Sequence, residues 1–354
     1  MTAKYLEIVY KLELEIRQMR LDGRTKLPSE AELCSLYSSS RQTVRAALDK
    51  LEAKGLIVKR KGSGSYLAGS IQGISNTVVF ITEDEDEYTN PAFITHLEQL
   101  LRNNKYDLVC RSTDGLISKE NKILTDLLSD HPAAVIIEPI SNIVPDPNIR
   151  LIGQLYSEGI PIIYFRTSYP EPSGAPLIGE DNKQGASILV RHLMECGHRD
   201  IAGIFRCDDS RGLERYQGYY EALSDLNLRF DENSVCMFTA SDRRRLLHGD
   251  DELLQRFIGD NLGNCTAVIC QNDEIAYRLI RLLESRGISV PGTVVVVSFD
   301  DSYYASQGQS GITSLGHSNR NMSSIAADTV IAAIRNKKSA SVNVEWRLKI
   351  RGSG

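Results

Sequence analysis

The sequence predicts an α/β protein in which a small N-terminal domain of helices and one hairpin precedes a larger, bilobed module built on parallel sheets. Three observations lead to this fold class. A chain of 354 residues exceeds the usual size of a single compact core. The N-terminal segment has helical periodicity and ends in a basic hairpin, whereas apolar strand-like runs later alternate with helical patterns. We place the domains at residues 1–68 and 77–354, with a linker at 69–76.

Three helices are predicted in the N-terminal domain. Apolar residues recur at helical spacing over residues 4–20, which form the first helix. Ser29 and Glu32 form a capping box for the second helix, and Ser40 can cap the third. The apolar face that the third helix turns to the core consists of Val44, Ala47, Leu48 and Leu51.

The opposite face of the third helix has the side chains of a recognition helix. Arg41, Gln42 and Arg45 lie there near the helix N-terminus, where such helices meet the major groove. Arginine bonds guanine bidentately, and glutamine does the same with adenine. The segment LIVKRKGSGSYL then predicts a basic hairpin, or wing, whose glycines permit close approach of the backbone to DNA. An isolated basic run is usually a solvated surface, but the order of three helices and a wing favours DNA binding.

Residues 4–67 resemble the DNA-binding domain of the GntR family, through PSEAEL, SRQTVRAALDKLEAKGLI and KGSGSYL in the family's order and spacing. The resemblance implies that Arg41 and Arg45 are the main contacts and that Glu30 helps to read the operator. Glu30 can equally act only as a charge at a helix N-terminus. The DNA-binding residues that we expect are Lys4, Glu30, Arg41, Gln42, Thr43, Arg45, Lys61, Gly62 and Gly64. The turn departs from the family, because serines at 38–39 replace the usual glycine and apolar residue and predict a less rigid turn.

Charge is distributed unevenly along the chain. Residues 1–68 hold 13 lysines and arginines against 8 acidic residues, whereas the remainder holds 28 against 38. A small basic domain on a large acidic body indicates contact with a nucleic acid at one end only. No apolar run approaches the roughly 20 residues of a membrane helix, and the first residues lack the apolar region of a signal peptide. We therefore expect a cytoplasmic protein without membrane contact.

From residue 77 the sequence alternates apolar strand-like runs with helical patterns. The runs are TVVFI, YDLVC, AAVIIE and PIIYF in a first series, and PLIG, DIAGIF, SVCMF, TAVIC and VVVVSF in a second. Near-continuous apolar strands separated by helices indicate parallel sheets that are covered on both faces. Two such lobes form a cleft, and ligands bind beyond the carboxyl ends of the strands in sheets of this kind.

Several motifs of this module resemble the effector-binding core of the LacI/GalR repressors and of their periplasmic sugar-binding relatives. They are EDNKQGASILVRHLMECGHRDIAGI, ERYQGYYEAL, ICQNDEIAYRLIRLLESRGISVP and VVVVSFDDSYYA, and the similarity covers residues 77–349. The fusion of a GntR-type domain to this module resembles the arabinose metabolism repressors of Gram-positive bacteria, also through IIEP, DDSRGLERYQGY and CQNDEIA. The resemblance implies a type I periplasmic-binding-protein-like fold, a homodimer on double-stranded operator DNA, and L-arabinose as an inducer.

Sugars are bound by planar polar groups that take several hydroxyls at once, so carboxylates and guanidinium groups are expected in the cleft. The family motifs place Arg215, Asp273 and Asp300 there. Further candidates, in loops after strands or at lobe crossings, are Tyr88, Glu138, Asp181 and His317. Two alternatives stay open, since Asp273 can instead cap the following helix and Arg215 can pair with a nearby carboxylate. We interpret Asp301 as a turn former and the arginines at 243–245 as solvent-facing.

Three functions compete for this architecture. An enzyme would need a motif such as GxSxG, HExxH or GxxxxGK[ST], and the sequence has none of them. A transport receptor would share the bilobed module but would need a signal peptide and no DNA-binding domain. A repressor accounts for both parts, and we predict no enzymatic activity, no cofactor and no metal. The sequence leaves open whether the effector is a pentose, a larger sugar or a nucleoside, and whether it induces or corepresses.

Overall fold

A computed structural model of the chain describes residues 5, 8, 9, 11, 12, 15, 16, 19, 25–54, 56–60, 63–67, 75–83, 90–140, 143–307, 311–317, 319–335 and 339–354. Within these ranges the chain forms an antiparallel hairpin and two six-stranded sheets. The large sheets are parallel except for one antiparallel edge strand. The predicted α/β fold class with parallel sheets is confirmed. No helix of the described ranges is long and apolar enough to cross a membrane.

The N-terminal domain follows the predicted order of helices and hairpin. The described residues of the first helix are helical, and the next elements are α1 (Glu30–Leu36), α2 (Arg41–Ala53), β1 (Ile57–Arg60) and β2 (Gly64–Leu67). Ser29 and Glu32 form the predicted capping box of α1, and Ser40 caps α2 by accepting from the Thr43 amide. Both caps satisfy backbone N–H groups that a helix start leaves without intrahelical partners. The described core residues of this domain are Ile8, Val9, Leu12, Ile16, Met19, Leu27, Leu33, Val44, Ala47, Leu48, Leu51, Ile57 and Leu67.

The turn between α1 and α2 is formed with serine in a position that favours glycine. Ser38 has a φ of 44°, in the left-handed region. Its amide bonds the carbonyl of Ser35 at 3.4 Å, and the Ser39 amide bonds the carbonyl of Cys34 at 3.1 Å. The helix-turn-helix geometry therefore forms without the glycine, at a strain of roughly 1–2 kcal/mol.

The larger module contains twelve further strands and nine further helices within the described residues. The strands are β3 (Thr77–Thr82), β4 (Asp107–Ser112), β5 (Ala134–Ile137), β6 (Ile162–Arg166), β7 (Leu177–Glu180), β8 (Ile201–Arg206), β9 (Val235–Phe238), β10 (Ala267–Cys270), β11 (Val295–Phe299), β12 (Thr313–Gly316), β13 (Val342–Val344) and β14 (Arg347–Lys349). The α-helices are α3 (Asn90–Asn103), α4 (Ile117–Asp130), α5 (Ile149–Ser157), α6 (Asn182–Glu195), α7 (Ser210–Asp225), α8 (Ala240–Leu247), α9 (Glu252–Arg256), α10 (Asp273–Ser285) and α11 (Asn319–Ile334). Short helical turns are Glu232–Ser234, Phe257–Asn261 and Tyr303–Ser306.

Strand pairing divides this module into two lobes. Lobe 1 has the strand order β13-β7-β6-β5-β3-β4, and lobe 2 has the order β14-β12-β11-β10-β8-β9. The chain therefore passes between the lobes after β7, after β12 and after β13. Apolar residues cover both faces of each sheet, with α3 and α11 opposite α4 and α5 in lobe 1 and α8 to α10 opposite α6 and α7 in lobe 2. Burial on both faces explains the near-continuous apolar strands.

Several features of lobe 2 differ from the sequence prediction, which ends with the run VVVVSF and does not include β12 and β14. The helical pattern between SVCMF and TAVIC forms α9 followed by the π-helical turn Phe257–Asn261. Helix α8 was not predicted, because its sequence ASDRRRLL is too polar for a periodicity signal and Leu246 is its only buried residue. The cap was readable, since Thr239 and Asp242 form a capping box three residues apart.

Candidate ligand cleft and nucleic-acid interface

The exposed face of α2 carries the predicted DNA-contacting side chains. Arg41, Gln42 and Arg45 are exposed in its first turns, while the apolar face is buried. Thr43 is half-buried, and its hydroxyl lies 2.8 Å from the Ser40 hydroxyl. The three long side chains can therefore reach base edges, whereas Thr43 is directed toward the helix cap.

Glu30 contacts Arg45 from the start of α1. Its carboxylate accepts from the Nε atom of Arg45 at 2.9 Å. The two side chains are 37% and 64% exposed, so the pair contributes only about 0–1 kcal/mol to stability. Its effect is orientation, because the contact sets the direction of the guanidinium group that would meet a guanine.

The wing pairs β1 with β2 in antiparallel register, with Arg60 opposite Gly64. Gly64 has a φ of 114°, which a residue with a Cβ rarely adopts. The Arg60 guanidinium lies over the Tyr66 ring at 5.1 Å, and the Lys26 ammonium lies over the same ring at 5.6 Å. Two positive charges are thus held beside the hairpin on one aromatic ring.

Other basic residues of this region are placed differently. Lys59 bonds Asp49 of α2 and lies 3.7 Å from Glu52, so its charge is neutralised within the domain. The expected contacts Lys4, Lys61 and Gly62 lie outside the described residues. The described part of the interface therefore consists of the α2 face and the paired strands of the wing.

A cleft lies at the carboxyl ends of the strands of both lobes. Its empty space measures about 630 Å³, including the part open to solvent. The described residues that line it are Arg166, Glu180, Arg206, Asp209, Arg211, Arg215, Phe238, Arg243, Gln271, Asn272, Asp300 and His317. Most of them end a strand or directly follow one, the position at which parallel sheets bind ligands.

Arg215 of α7 joins several parts of the cleft. Its Nη2 atom lies 3.4 Å from Oδ1 of Asp300 and 3.7 Å from Oε2 of Glu180. Its Nε and Nη1 atoms donate to oxygens of Asn182 and Gln271. Arg215 therefore has the carboxylate partners that sequence analysis left as an alternative, and it lines the cleft as well.

Glu138 lies behind the lining residues, not among them. It is 3% exposed, and its Oε1 atom lies 3.0 Å from Nη1 of Arg166 and 3.6 Å from Nη1 of Arg211. Burial raises the pKa of Glu138, but the attraction of both arginines and a hydrogen bond from Thr82 outweigh it and leave the pKa below its usual value. Arg166 and Arg211, which Glu138 contacts, line the cleft in front of it, and the role of Glu138 in effector binding stays a prediction.

Asp273 is buried in lobe 2 in a similar position. Its carboxylate accepts from the hydroxyls of Ser298 and Ser314, the latter at 2.7 Å, and from the Ser302 amide at 2.6 Å. Burial and, second, the charge of Asp300 raise the pKa of Asp273 to about 7. Asp273 therefore holds together the loops around Asp300 without lining the cleft.

The alternative role considered for Asp273 belongs to its neighbour. Asn272 caps α10, and its Oδ1 atom accepts from the Ile275 amide at 3.0 Å. Asn272 also lines the cleft, so the QND motif contains a lining amide and a buried carboxylate. Sequence analysis singled out only the carboxylate.

The remaining predicted residues occupy different positions. Asp300 and His317 line the cleft, and Nε2 of His317 lies 3.2 Å from Oε1 of Glu180. The Nδ1 atom of His317 is buried without a hydrogen-bond partner among the described residues. Asp181 is exposed and caps α6, so it lies outside the lining. Tyr88 lies outside the described residues.

Most of the arginines that line the cleft are not among the residues predicted from the sequence. Arg243 was expected to face solvent, but its side chain is 16% exposed and its Nε atom bonds Glu274 at 3.0 Å. This expectation is wrong because α8 places Arg243 over the cleft. Arg166 and Arg206 had a readable signal, since each is the last residue of an apolar strand.

The charges around the cleft are paired. The five lining arginines lie within 4 Å of seven carboxylates in the described part of the chain: Glu83, Glu138, Glu180, Asp208, Asp209, Glu274 and Asp300. Phe238 is the one phenylalanine, tyrosine or tryptophan of the described lining. Among the same residues, no group of three His, Cys, Asp or Glu side chains is arranged to hold a metal ion. The cleft thus presents hydrogen-bonding groups in fixed positions without an excess of positive charge.

Two family models match separate parts of the chain. The model described as bacterial regulatory proteins, gntR family, matches residues 4–67. The model of the periplasmic binding protein-like domain matches residues 190–354. The first range contains the helix-turn-helix and the wing, and the second contains most of lobe 2 together with α11 and β13 of lobe 1.

Similar proteins match this chain over nearly its whole length. The arabinose metabolism transcriptional repressor of Geobacillus stearothermophilus is 29% identical over 338 residues, which cover 94% of this chain and 92% of that protein. The repressor of the same name from Halalkalibacterium halodurans is 27% identical, with 96% and 91% covered. A solved complex of the transcriptional regulator CelR with cellobiose has the same fold, with a TM-score of 0.69 at 21% identity over 93% of this chain and 100% of that one. This chain is therefore a DNA-binding transcriptional regulator that joins a GntR-family helix-turn-helix domain to a periplasmic binding protein-like domain.

Proposed function

We propose that this protein represses transcription as a homodimer on operator DNA and that a neutral sugar, L-arabinose, releases it. The exposed donors of α2 and the wing support the DNA-binding part. The two relatives that match over nearly their full lengths are named for arabinose metabolism, which supports the effector.

The observation that carries the effector class is the pairing of every lining arginine with a carboxylate. An anionic ligand would have to displace these carboxylates, whereas a sugar hydroxyl can donate to a carboxylate and accept from a guanidinium in the same place. A neutral polyhydroxylated ligand therefore fits the cleft better than an anion does.

Contacts between the lobes supply a route for coupling. The Nη1 atom of Arg206 lies 3.5 Å from Glu83, and Arg211 lies 3.6 Å from Glu138. Each pair joins a residue of lobe 2 to a residue of lobe 1 at the cleft. A ligand that competes for these groups changes how the lobes pack, and in a homodimer this changes the spacing of the two DNA-binding domains.

The test measures operator binding of the full chain by fluorescence anisotropy, with an operator selected from random DNA. L-Arabinose is expected to raise the apparent Kd for DNA, while D-xylose, cellobiose and adenosine do not. In thermal unfolding without DNA, L-arabinose at about 100 times its Kd should add about 2.7 kcal/mol of stability. A different compound that gives both effects would reject L-arabinose, and tighter DNA binding with sugar would reject induction.

Asp300 and Asp181, which were both expected from the sequence to bind the effector, are substituted in a matched pair of variants. Asp300→Asn removes a charge that lines the cleft and should abolish the sugar response at unchanged DNA affinity. Asp181→Asn keeps a good helix cap outside the lining and should respond like the wild type. Equal loss of response in both variants would contradict the proposed site.

A further inference from the structure

Asp301, which follows the cleft residue Asp300, points its carboxylate toward another part of the chain. Its Oδ1 atom lies 2.5 Å from Nη2 of Arg351, and its Oδ2 atom bonds the ammonium group of Lys349. The Asp301 side chain is 9% exposed. The largely buried carboxylate of Asp301, next to the cleft, is thus paired with Lys349 and Arg351. Neither of these two cations lines the cleft.

The backbone at this point is in an unfavourable conformation. Asp300 has a φ of 98° and Asp301 has a φ of 46°, so two consecutive residues with side chains occupy the left-handed region. The loop also lies close to β12, because a Cβ added at Gly316 would be 2.2 Å from the Cβ of Asp301. Such a conformation persists only when the surrounding contacts enforce it.

Arg351 is itself held firmly to β12. Its Nη1 atom donates to the Ile312 carbonyl at 2.8 Å, and its backbone amide donates to Oγ1 of Thr313 at 2.8 Å. In the same segment, Ser353 accepts from the Thr313 amide at 2.9 Å. The Arg351 guanidinium that faces Asp301 is therefore held in a fixed position.

We infer that Asp301, Lys349 and Arg351 form a clamp that positions Asp300 for the effector. The inference rests on the proposed effector role of the cleft. The clamp residues are positioning residues, since their contacts act on the loop 300–302 and not on the ligand. Through this clamp, the segment 347–354 takes part in effector recognition.

A second anchor makes this role separable from folding. Asp273 holds the same loop from the inside through the Ser302 amide at 2.6 Å. Loss of the clamp leaves that anchor and the sheet in place. The loop can then relax, and the 3.4 Å contact between Asp300 and Arg215 is no longer enforced.

The experiment uses the full chain and reads the loop directly. Hydrogen exchange of the amides of residues 300–302 is compared in the wild type, Asp301→Asn and Arg351→Met. Asparagine tolerates the left-handed conformation, and methionine keeps the apolar stem, so both variants remove chiefly the charge. Arg245→Met is the control, because Arg245 pairs with Asp250 and Glu252 on the surface of the same lobe.

We expect at least tenfold faster exchange at 300–302 in both clamp variants, with wild-type exchange in Arg245→Met and unchanged operator affinity in all three. The Kd for L-arabinose should rise about tenfold in the clamp variants and largely recover in Arg351→Lys, a coupling of the size that positioning residues give. Wild-type exchange in the clamp variants, or equal acceleration in the control, would overturn the clamp. If the wild type does not bind L-arabinose, the proposed effector is wrong. The hydrogen-exchange result would still show whether the clamp holds the loop 300–302.

Discussion

The DNA-facing surface of α2 and the cleft between the lobes use arginine in opposite ways. On α2, Arg41 and Arg45 are exposed, and Arg45 has an exposed ion pair with Glu30. In the cleft, the side chain of Arg166 is 9% exposed and that of Arg215 is 4% exposed, and both contact carboxylates. Helix geometry and one exposed ion pair place the α2 side chains, whereas the cleft arginines depend on buried acids that hold them.

The difference predicts two kinds of response to substitution. Residues of the α2 face should act locally, with changes in DNA affinity and little change in stability. Residues behind the cleft should act through the network, with losses of stability that exceed those of any surface pair.

The largest effect, a loss of stability, is expected for Glu138→Gln, which removes the negative charge that Arg166 and Arg211 both contact. Unfolding in urea should show a loss of about 3 kcal/mol, because the change breaks a buried ion pair from one side. Glu98→Gln is the matched control in lobe 1, since Glu98 pairs with Arg102 on an exposed helix face and should cost less than about 0.5 kcal/mol. Similar losses in both variants would remove the contrast between buried and exposed pairs.

Asp273 should give a pH-dependent effect. Its pKa of about 7 in the folded protein lies above its usual value of 3.8, so the stability that it contributes is fully present below pH 3.8 and is lost as the pH rises through 7. Between pH 5.5 and pH 8 the wild type should lose about 2 kcal/mol relative to Asp273→Asn, measured as the difference in unfolding free energy in urea. A difference that is constant with pH would show that Asp273 is charged throughout this range.

Arg45→Ala tests the local behaviour of the α2 face. Loss of one base-contacting arginine should weaken operator binding by roughly 10- to 100-fold, with the sugar affinity and the free energy of unfolding nearly unchanged. Arg102→Ala in the larger module is the control and should leave operator binding intact. Anisotropy and thermal unfolding of the same samples give both readouts, and equal loss of DNA and sugar binding would contradict two independent sites.

The smallest effect is expected in the turn before α2. Ser38→Gly relieves the left-handed strain at a φ of 44° and should stabilise the N-terminal domain by about 0.5–1 kcal/mol. Ser35→Gly, within α1, should destabilise the domain by a similar amount because glycine weakens a helix interior. Calorimetry should resolve the opposite signs, and a loss of stability in both variants would mean that Ser38 makes a contact that outweighs the strain.

Local sequence information was sufficient for the fold class and for the helices and hairpin of the N-terminal domain. Periodicity, two caps and a basic hairpin are short-range features, and the structure has the predicted capping box at Ser29 and the cap at Ser40. The alternation of apolar strands with helices likewise predicted parallel sheets, because burial on both faces makes each strand nearly continuously apolar.

The residues of the cleft were only partly predictable from the sequence. Motif similarity located Arg215, Asp300 and His317, which line it. It did not separate Asn272 at the surface from Asp273 behind it, since adjacent residues of one motif point in different directions. Arg243 was wrongly expected to face solvent, because α8 has too little apolar periodicity for this helix to be predicted.

The sequence by itself determined most of the segments that become helices and strands, because propensity, capping and periodicity act over a few residues. Only the tertiary structure decided which charged side chains meet. Glu138 reaches Arg166 across 28 positions, and Asp301 reaches Arg351 across 50, so their pairing depends on how the strands stack. The fold then sets the pKa values, since Arg166 and Arg211 outweigh burial and lower the pKa of Glu138, whereas burial and, second, the charge of Asp300 raise that of Asp273.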